Sequence, residues 1–184
     1  MSLILLRHSR PDIAEGVCYG RSDLGLAAGS EAEFAAILAE LPAVSAITSS
    51  PLGRCLRLAE AIGAARGLPV RVDARIAEFD FGRWEGVAWD AIPRAELDAW
   101  AADFDGARPH GGESVAMLRA RVAEALAEVV AGEPPPLWVT HSGVIRAACA
   151  LSGQGADWRT DIGFGRWLRL DPAVQRVGTG VSPR

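Results

Sequence analysis

Lysine is absent from the chain: all 19 basic residues are arginine. This excludes Schiff-base chemistry, a pyridoxal-phosphate lysine and a Walker-type phosphate loop, each of which needs an ε-amino group. Cysteine is scarce, and Cys18, Cys55 and Cys149 are odd in number and far apart, with no charged-then-apolar leader before them. A cytoplasmic protein is therefore expected rather than a secreted disulfide framework. Long apolar runs are missing too: none approaches the ~20 residues that cross a bilayer, so no membrane span is expected. Positive charge is not in excess, and a formal net charge of −4 argues against a nucleic-acid partner, which requires a basic face. The few histidines and cysteines lack compact ligand spacing, so neither a metal nor another cofactor is expected.

What remains is an ordinary globular composition, 49% hydrophobic and 23% charged, and 184 residues suit one domain spanning residues 1–184. Leu3-Ile4-Leu5-Leu6 reads as a buried parallel strand that delivers Arg7 and His8 at its carboxyl end. Ser30 and Glu33 have capping-box spacing before a helix that Pro42 stops. Ala46–Ser49 reads as a second strand, followed by Ser50 as N-cap, Pro51 in the first helical position, and a helix to about Arg66 with Gly67 as its cap. Val70–Val72 is a short third strand. Residues 80–112, with scattered aromatics and a short helix from Arg94 to Asp103, read as a cap over the sheet edge. A helix then runs from Ser114 toward Gly132, Leu137–Thr140 forms a strand delivering His141, Gly143–Leu151 a helix, and Trp167–Leu170 a last strand. Such alternation implies an α/β fold, three layers α/β/α around a mostly parallel sheet, with ligands bound beyond the carboxyl ends of the strands.

Three strands there release Arg7 and His8, then Ser49 and Ser50 leading to Arg54, then His141 and Ser142. A phosphate monoester carries nearly two negative charges and several acceptor oxygens. Arg7, Arg54 and a protonated His141 suit that dianion, with the N–H groups of the following helix starts as further donors. Neutral His8 is the natural nucleophile, and Glu78, among Ile76, Phe79 and Phe81, is placed to hold a proton for the leaving oxygen. His110 reads as a turn residue, Glu85 as a solvated or loop-fixing carboxylate, and Arg57 as a residue that flanks the site or pairs with a surface acid. The tryptophans read as core and cap filler, with Trp84 lining the pocket.

Five segments in order resemble the blocks of the phosphoglycerate mutase-like histidine phosphatases. They are Leu5-Leu6-Arg7-His8, Ser49–Cys55, Glu78–Gly86, Gly111–Ser114 and Val139–Arg146. The resemblance implies a phosphoglycerate mutase-like fold in which His8 is phosphorylated, Arg7, Arg54 and His141 bind phosphate, the Ser142 N–H faces it, and Glu78 donates the proton. Departures are Ser9 and Ser142 where the family has glycine, and the absence of asparagine, a common phosphate ligand of the family. Arg10, Tyr19 and Ser22 are candidates to replace it, with Arg21 a further substrate contact. The family contains mutases, but the short stretch between Gly86 and Gly111 and the lack of any Arg-Arg pair favour hydrolysis. The expected function is a metal-independent phosphomonoesterase acting through a phosphohistidine on a small phosphorylated metabolite. A mutase-type phosphotransferase and a non-catalytic phosphate-binding module are the alternatives. A serine-hydrolase elbow at Thr140–Gly143 is disfavoured because no histidine follows His141.

Overall fold

Strand β1 (Leu3–Arg7) lies near the middle of the sheet in the computed structural model, which describes residues 2–130, 132–154 and 161–171. Strands β2 (Ile47–Ser49), β3 (Val70–Val72), β4 (Leu137–Thr140) and β5 (Trp167–Leu170) complete a five-stranded sheet in the order β3-β2-β4-β1-β5. All neighbours pair in parallel except β5, which closes one edge antiparallel to β1. The strand period of two divides the core between the two faces. Leu3, Leu5 and Trp138 point to the layer of α4 (Val115–Ala127) and α5 (Ser142–Leu151). Ile4, Leu6, Leu137 and Val139 point to the layer of α1 (Phe34–Glu40) and α2 (Gly53–Arg66). Each of these side chains contributes about 1.5–3 kcal/mol on burial, which is why β1 and β4 are apolar without interruption up to their last residues, Arg7 and Thr140. The expected three-layer α/β/α architecture is therefore present.

A third, smaller core of Cys18, Trp84 and Ile92 anchors the excursion that contains α3 (Arg94–Ala102). Three boundaries differ from expectation by more than one residue. Ser30 makes no cap; its hydroxyl donates to the Arg10 carbonyl (2.9 Å), residues 30–33 form a 3₁₀ turn, and α1 starts only at Phe34. Helix α2 starts at Gly53 rather than Pro51, since Ser50 Oγ accepts from the Leu52 N–H in a tight turn (3.3 Å). Helix α4 stops at Ala127, short of Gly132. Among the described residues no helix is long and apolar enough to cross a membrane.

The parallel register sets which residues meet at the carboxyl edge of the sheet. Arg7 pairs with Thr140 and Ser49 with Val139. Beyond the strands, His8 N–H donates to the Thr140 carbonyl and Ser50 N–H to the Val139 carbonyl, both at 3.0 Å. His8, Ser50 and His141 thus leave three adjacent strands side by side.

Candidate active site

His8 Nδ1 lies 2.6 Å from the Ser9 carbonyl. A carbonyl can only accept, so Nδ1 carries the proton and the Nε2 lone pair is left for other partners. Arg54 Nε–H donates to that Nε2 at 3.3 Å. The His141 ring meets the His8 ring edge-on, centroids 5.0 Å apart, and its Nε2 lies 2.8 Å from Ser50 Oγ. Burial, aided by Arg54 and Arg7, holds His8 well below the usual histidine range against the pull of the Ser9 carbonyl. Burial, His8 and Arg54 do the same to His141. The protein's own groups therefore disfavour the imidazolium expected of His141, which would need a neighbouring anion to form. Cys55 Sγ lies 3.4 Å from His141 Nε2 and 3.5 Å from the Thr140 carbonyl, and burial pushes its thiol up, so it packs as a neutral donor rather than a thiolate.

Arg54 is fully buried, with Nη1 donating to the Ser22 carbonyl (2.7 Å) and Nη2 to the Gly20 carbonyl (2.6 Å). Each terminal nitrogen keeps a second N–H. Arg7 stacks its guanidinium on Phe164, 3.8 Å from the ring centroid, and donates through Nη1 to the Ile162 carbonyl, while its buried Nε–H has no protein partner among the described residues. Burial raises the Tyr19 phenol above its usual range against the opposing charges of Arg7 and Arg54, and its ring lies 5.6 Å from the Arg54 guanidinium carbon. Glu78 is nearly buried; Oε1 accepts from the Phe79 N–H (2.9 Å) and Oε2 from the Gly143 N–H (3.3 Å). A methyl group at Gly143 would collide with Glu78 Oε1, so glycine there lets the carboxylate sit against the first turn of α5. Arg7, Tyr19, Glu78 and Ser142 share one cavity of about 700 Å³.

Residues 3–167 match the sequence profile of the histidine phosphatase superfamily, branch 1. The chain belongs to that superfamily. It is 35% identical over 189 aligned residues to the glucosyl-3-phosphoglycerate phosphatase of Mycobacterium tuberculosis, covering 91% of this chain and 84% of that protein. It is 34% identical over 164 residues to a probable phosphoglycerate mutase GpmB of Salmonella choleraesuis, covering 83% of this chain and 74% of that one. Among solved structures, the mycobacterial glucosyl-3-phosphoglycerate phosphatase superposes with a TM-score of 0.79 at 30% identity, covering 91% of this chain and 88% of the other. TTHB049 from Thermus thermophilus superposes with 0.76 at 31% identity, covering 93% and 94%. As a histidine phosphatase whose relatives include named phosphatases over most of its length, the chain is a phosphoric monoester hydrolase.

The remaining residues singled out in this histidine phosphatase divide by their partners. Ser22 gives both its N–H and its hydroxyl to Glu85, so its side chain is already committed. Arg21 donates its N–H to Glu85 (2.8 Å), and its guanidinium, half-exposed, lies 3.9 Å from Asp80. Arg10 is exposed, with its guanidinium 5.1 Å from the Phe164 centroid. Of the candidates for the missing asparagine, Tyr19 alone lines the cavity with Arg7. Arg57 pairs with Glu31 at the surface (3.0 Å). His110 is a buried turn residue whose Nδ1 accepts from the Gly112 N–H (3.0 Å). Trp84 does not line the cavity; it is buried in the cap core with its indole N–H on Glu96 (2.7 Å), and Trp89 and Trp100 line the cavity instead.

Sequence reasoning named Glu85 as a solvated or loop-fixing carboxylate and missed two further supports, Arg121 and Phe164. Glu85 holds the 20–22 loop whose carbonyls grip Arg54; burial alone would raise its pKa, but the Ser22 hydroxyl and the N–H groups of Arg21, Ser22 and Phe81 keep it below the usual range. Arg121, on α4, donates to the carbonyls of Arg75 and Ala77 (2.7 Å each) and Glu78 (3.1 Å) and pairs with Glu113 (2.7 Å), clamping the loop that carries Glu78. Phe164 touches both Arg7 and His8. Only the Glu85 position, inside a recognised block, carried any signal.

Proposed function

We propose that this histidine phosphatase is a metal-independent phosphomonoesterase that works through a phosphohistidine on His8 and acts on a small phosphorylated metabolite. The observation that carries the reading is the tautomer of His8: Nδ1 is bound to the Ser9 carbonyl and the Nε2 lone pair faces Arg54, with His141 alongside. Burial keeps that imidazole neutral, the form that attacks phosphorus.

In the first step the His8 Nε2–P bond forms and the ester P–O bond breaks, while Glu78 gives its proton to the departing alkoxide oxygen. In the second, water attacks phosphorus and loses its proton to Glu78, the N–P bond breaks, and inorganic phosphate leaves with His8 neutral again. The buried Arg7 Nε–H, the second N–H groups of Arg54 and the start of α5 at Ser142 are the donors that stabilise the phosphoryl oxygens. Phosphoryl transfer depends mostly on such positioning and charge stabilisation, which these groups supply without a metal ion.

A panel of phosphate esters assayed with EDTA present tests this. Wild type is expected to release phosphate under chelation, and His8→Ala to lose at least about 10³-fold in kcat, comparable with removal of the nucleophile elsewhere. Turnover by His8→Ala at the wild-type rate would contradict the mechanism.

A further inference from the structure

The cavity beside Arg7 and Glu78, about 700 Å³, is far larger than a phosphoryl group needs, and most of its lining is apolar. Arg7, Tyr19, Glu78, Ser142 and Arg146 supply its polar lining, and Val17, Phe79, Phe81, Trp89, Trp100 and Phe104 most of its apolar lining. These rings brace one another. Phe81 meets Trp89 edge-on at 5.5 Å, Trp100 lies 5.2 Å from Phe104, and Phe79 lies 4.7 Å from Phe81, so the wall is assembled by the protein's own packing. Among the described residues Glu78 is the only carboxylate on the lining, and Arg146 the only cation besides Arg7.

We propose, on the basis of the phosphomonoesterase reading above, that the alcohol half of the substrate carries an aromatic or similarly flat apolar group, which this cavity takes up while the phosphoryl group lies against Arg7 and His8. Apolar walls with a few placed polar groups among them are how a protein orients a molecule that is itself mostly apolar. Burying a ring against them gains roughly 25 cal/mol for each Å² removed from water. A polyhydroxylated or carboxylated alcohol would give up its hydration there and find Arg146 as its main compensation.

The test compares 2-(2-naphthyl)ethyl phosphate, ethyl phosphate and 3-phosphoglycerate, all esters of primary alcohols, so that leaving-group acidity does not dominate the ranking. The expected result is a kcat/KM for the naphthyl ester at least about tenfold above each of the others. Trp100→Ala, which removes the wall, and Val17→Phe, which fills the space, should each lower the naphthyl-to-ethyl ratio by about tenfold. The ratio cancels any common loss, and Val17→Phe decides the matter if Trp100→Ala fails to fold. An equal or better kcat/KM for 3-phosphoglycerate, or a ratio unmoved by the folded variants, would overturn the assignment. His8→Ala separates the two claims: naphthyl-ester turnover that survives it sinks the phosphohistidine reading, whereas turnover that depends on His8 but shows no naphthyl preference sinks only the pocket.

Discussion

A neutral imidazole has to be aimed as well as deprotonated, and the contacts of His8 do both. Ser9 sets the tautomer, Arg54 approaches the lone pair, and the Phe164 ring lies 5.5 Å from the imidazole while carrying Arg7 on its face. The Gly165 N–H, next in sequence, donates to the carbonyls of both Arg7 and His8 (3.2 Å each), so this short segment holds the dipeptide by backbone and ring together. Replacing Phe164 by Leu keeps apolar bulk but removes the π face under the guanidinium. A cation–π contact of this kind contributes about 1 kcal/mol, so the affinity for inorganic phosphate, measured as a competitive inhibition constant, should weaken roughly fivefold, while Phe164→Tyr stays close to wild type. Equal constants for all three proteins would show that the ring only fills space.

At the scale of elements, the three strand ends are placed by the register of a parallel sheet, and the loops they feed are fixed by arginines that need not touch substrate. Arg121 is the clearest case, since it bonds three carbonyls around Glu78 and sits in a largely buried pair with Glu113. Arg121→Met leaves that carboxylate without its counter-charge and should destabilise the fold by about 3 kcal/mol, measured by denaturant unfolding, with a fall in kcat larger than any change in KM because it is Glu78 that moves. Unchanged stability would contradict the clamp. The strands were legible because buried parallel strands are plain apolar runs that break at polar residues, so Leu3–Leu6 and Leu137–Thr140 announced His8 and His141. The start of α1 was misread because the Ser30 hydroxyl has its partner elsewhere, on the Arg10 carbonyl, which a local capping pattern cannot register, and the start of α2 because Ser50 Oγ takes the Leu52 N–H in a tight turn beside His141. Arg121 and Phe164 escaped notice for the same reason: their contacts span the fold and follow no period.

For the molecule as a whole, the buried site has a cost that depends on pH. His8, His141 and His110 all lie below the usual histidine value, each chiefly through burial. The unfolded chain takes up protons on these residues near ~6.5, the folded chain only at lower pH, so in between the unfolded state binds more protons. Stability is therefore full above about pH 6.5 and falls as pH drops toward the lowered folded values, by up to ~1.4 kcal/mol per pH unit for each histidine. The melting temperature should decline between about pH 7.5 and about pH 5.5, a range above the ordinary carboxyl titrations, and a flat profile there would contradict the burial of neutral imidazoles. The most direct test of the account as a whole is to mix the enzyme with a good phosphate ester, quench in alkali where phosphohistidine survives, and locate the modification by mass spectrometry of the peptides. A single phosphoryl group on His8, absent from His8→Ala and accumulating when Glu78 is replaced by Gln, is the result predicted. Full turnover with an unmodified His8, or with the phosphoryl group on another residue, would contradict it.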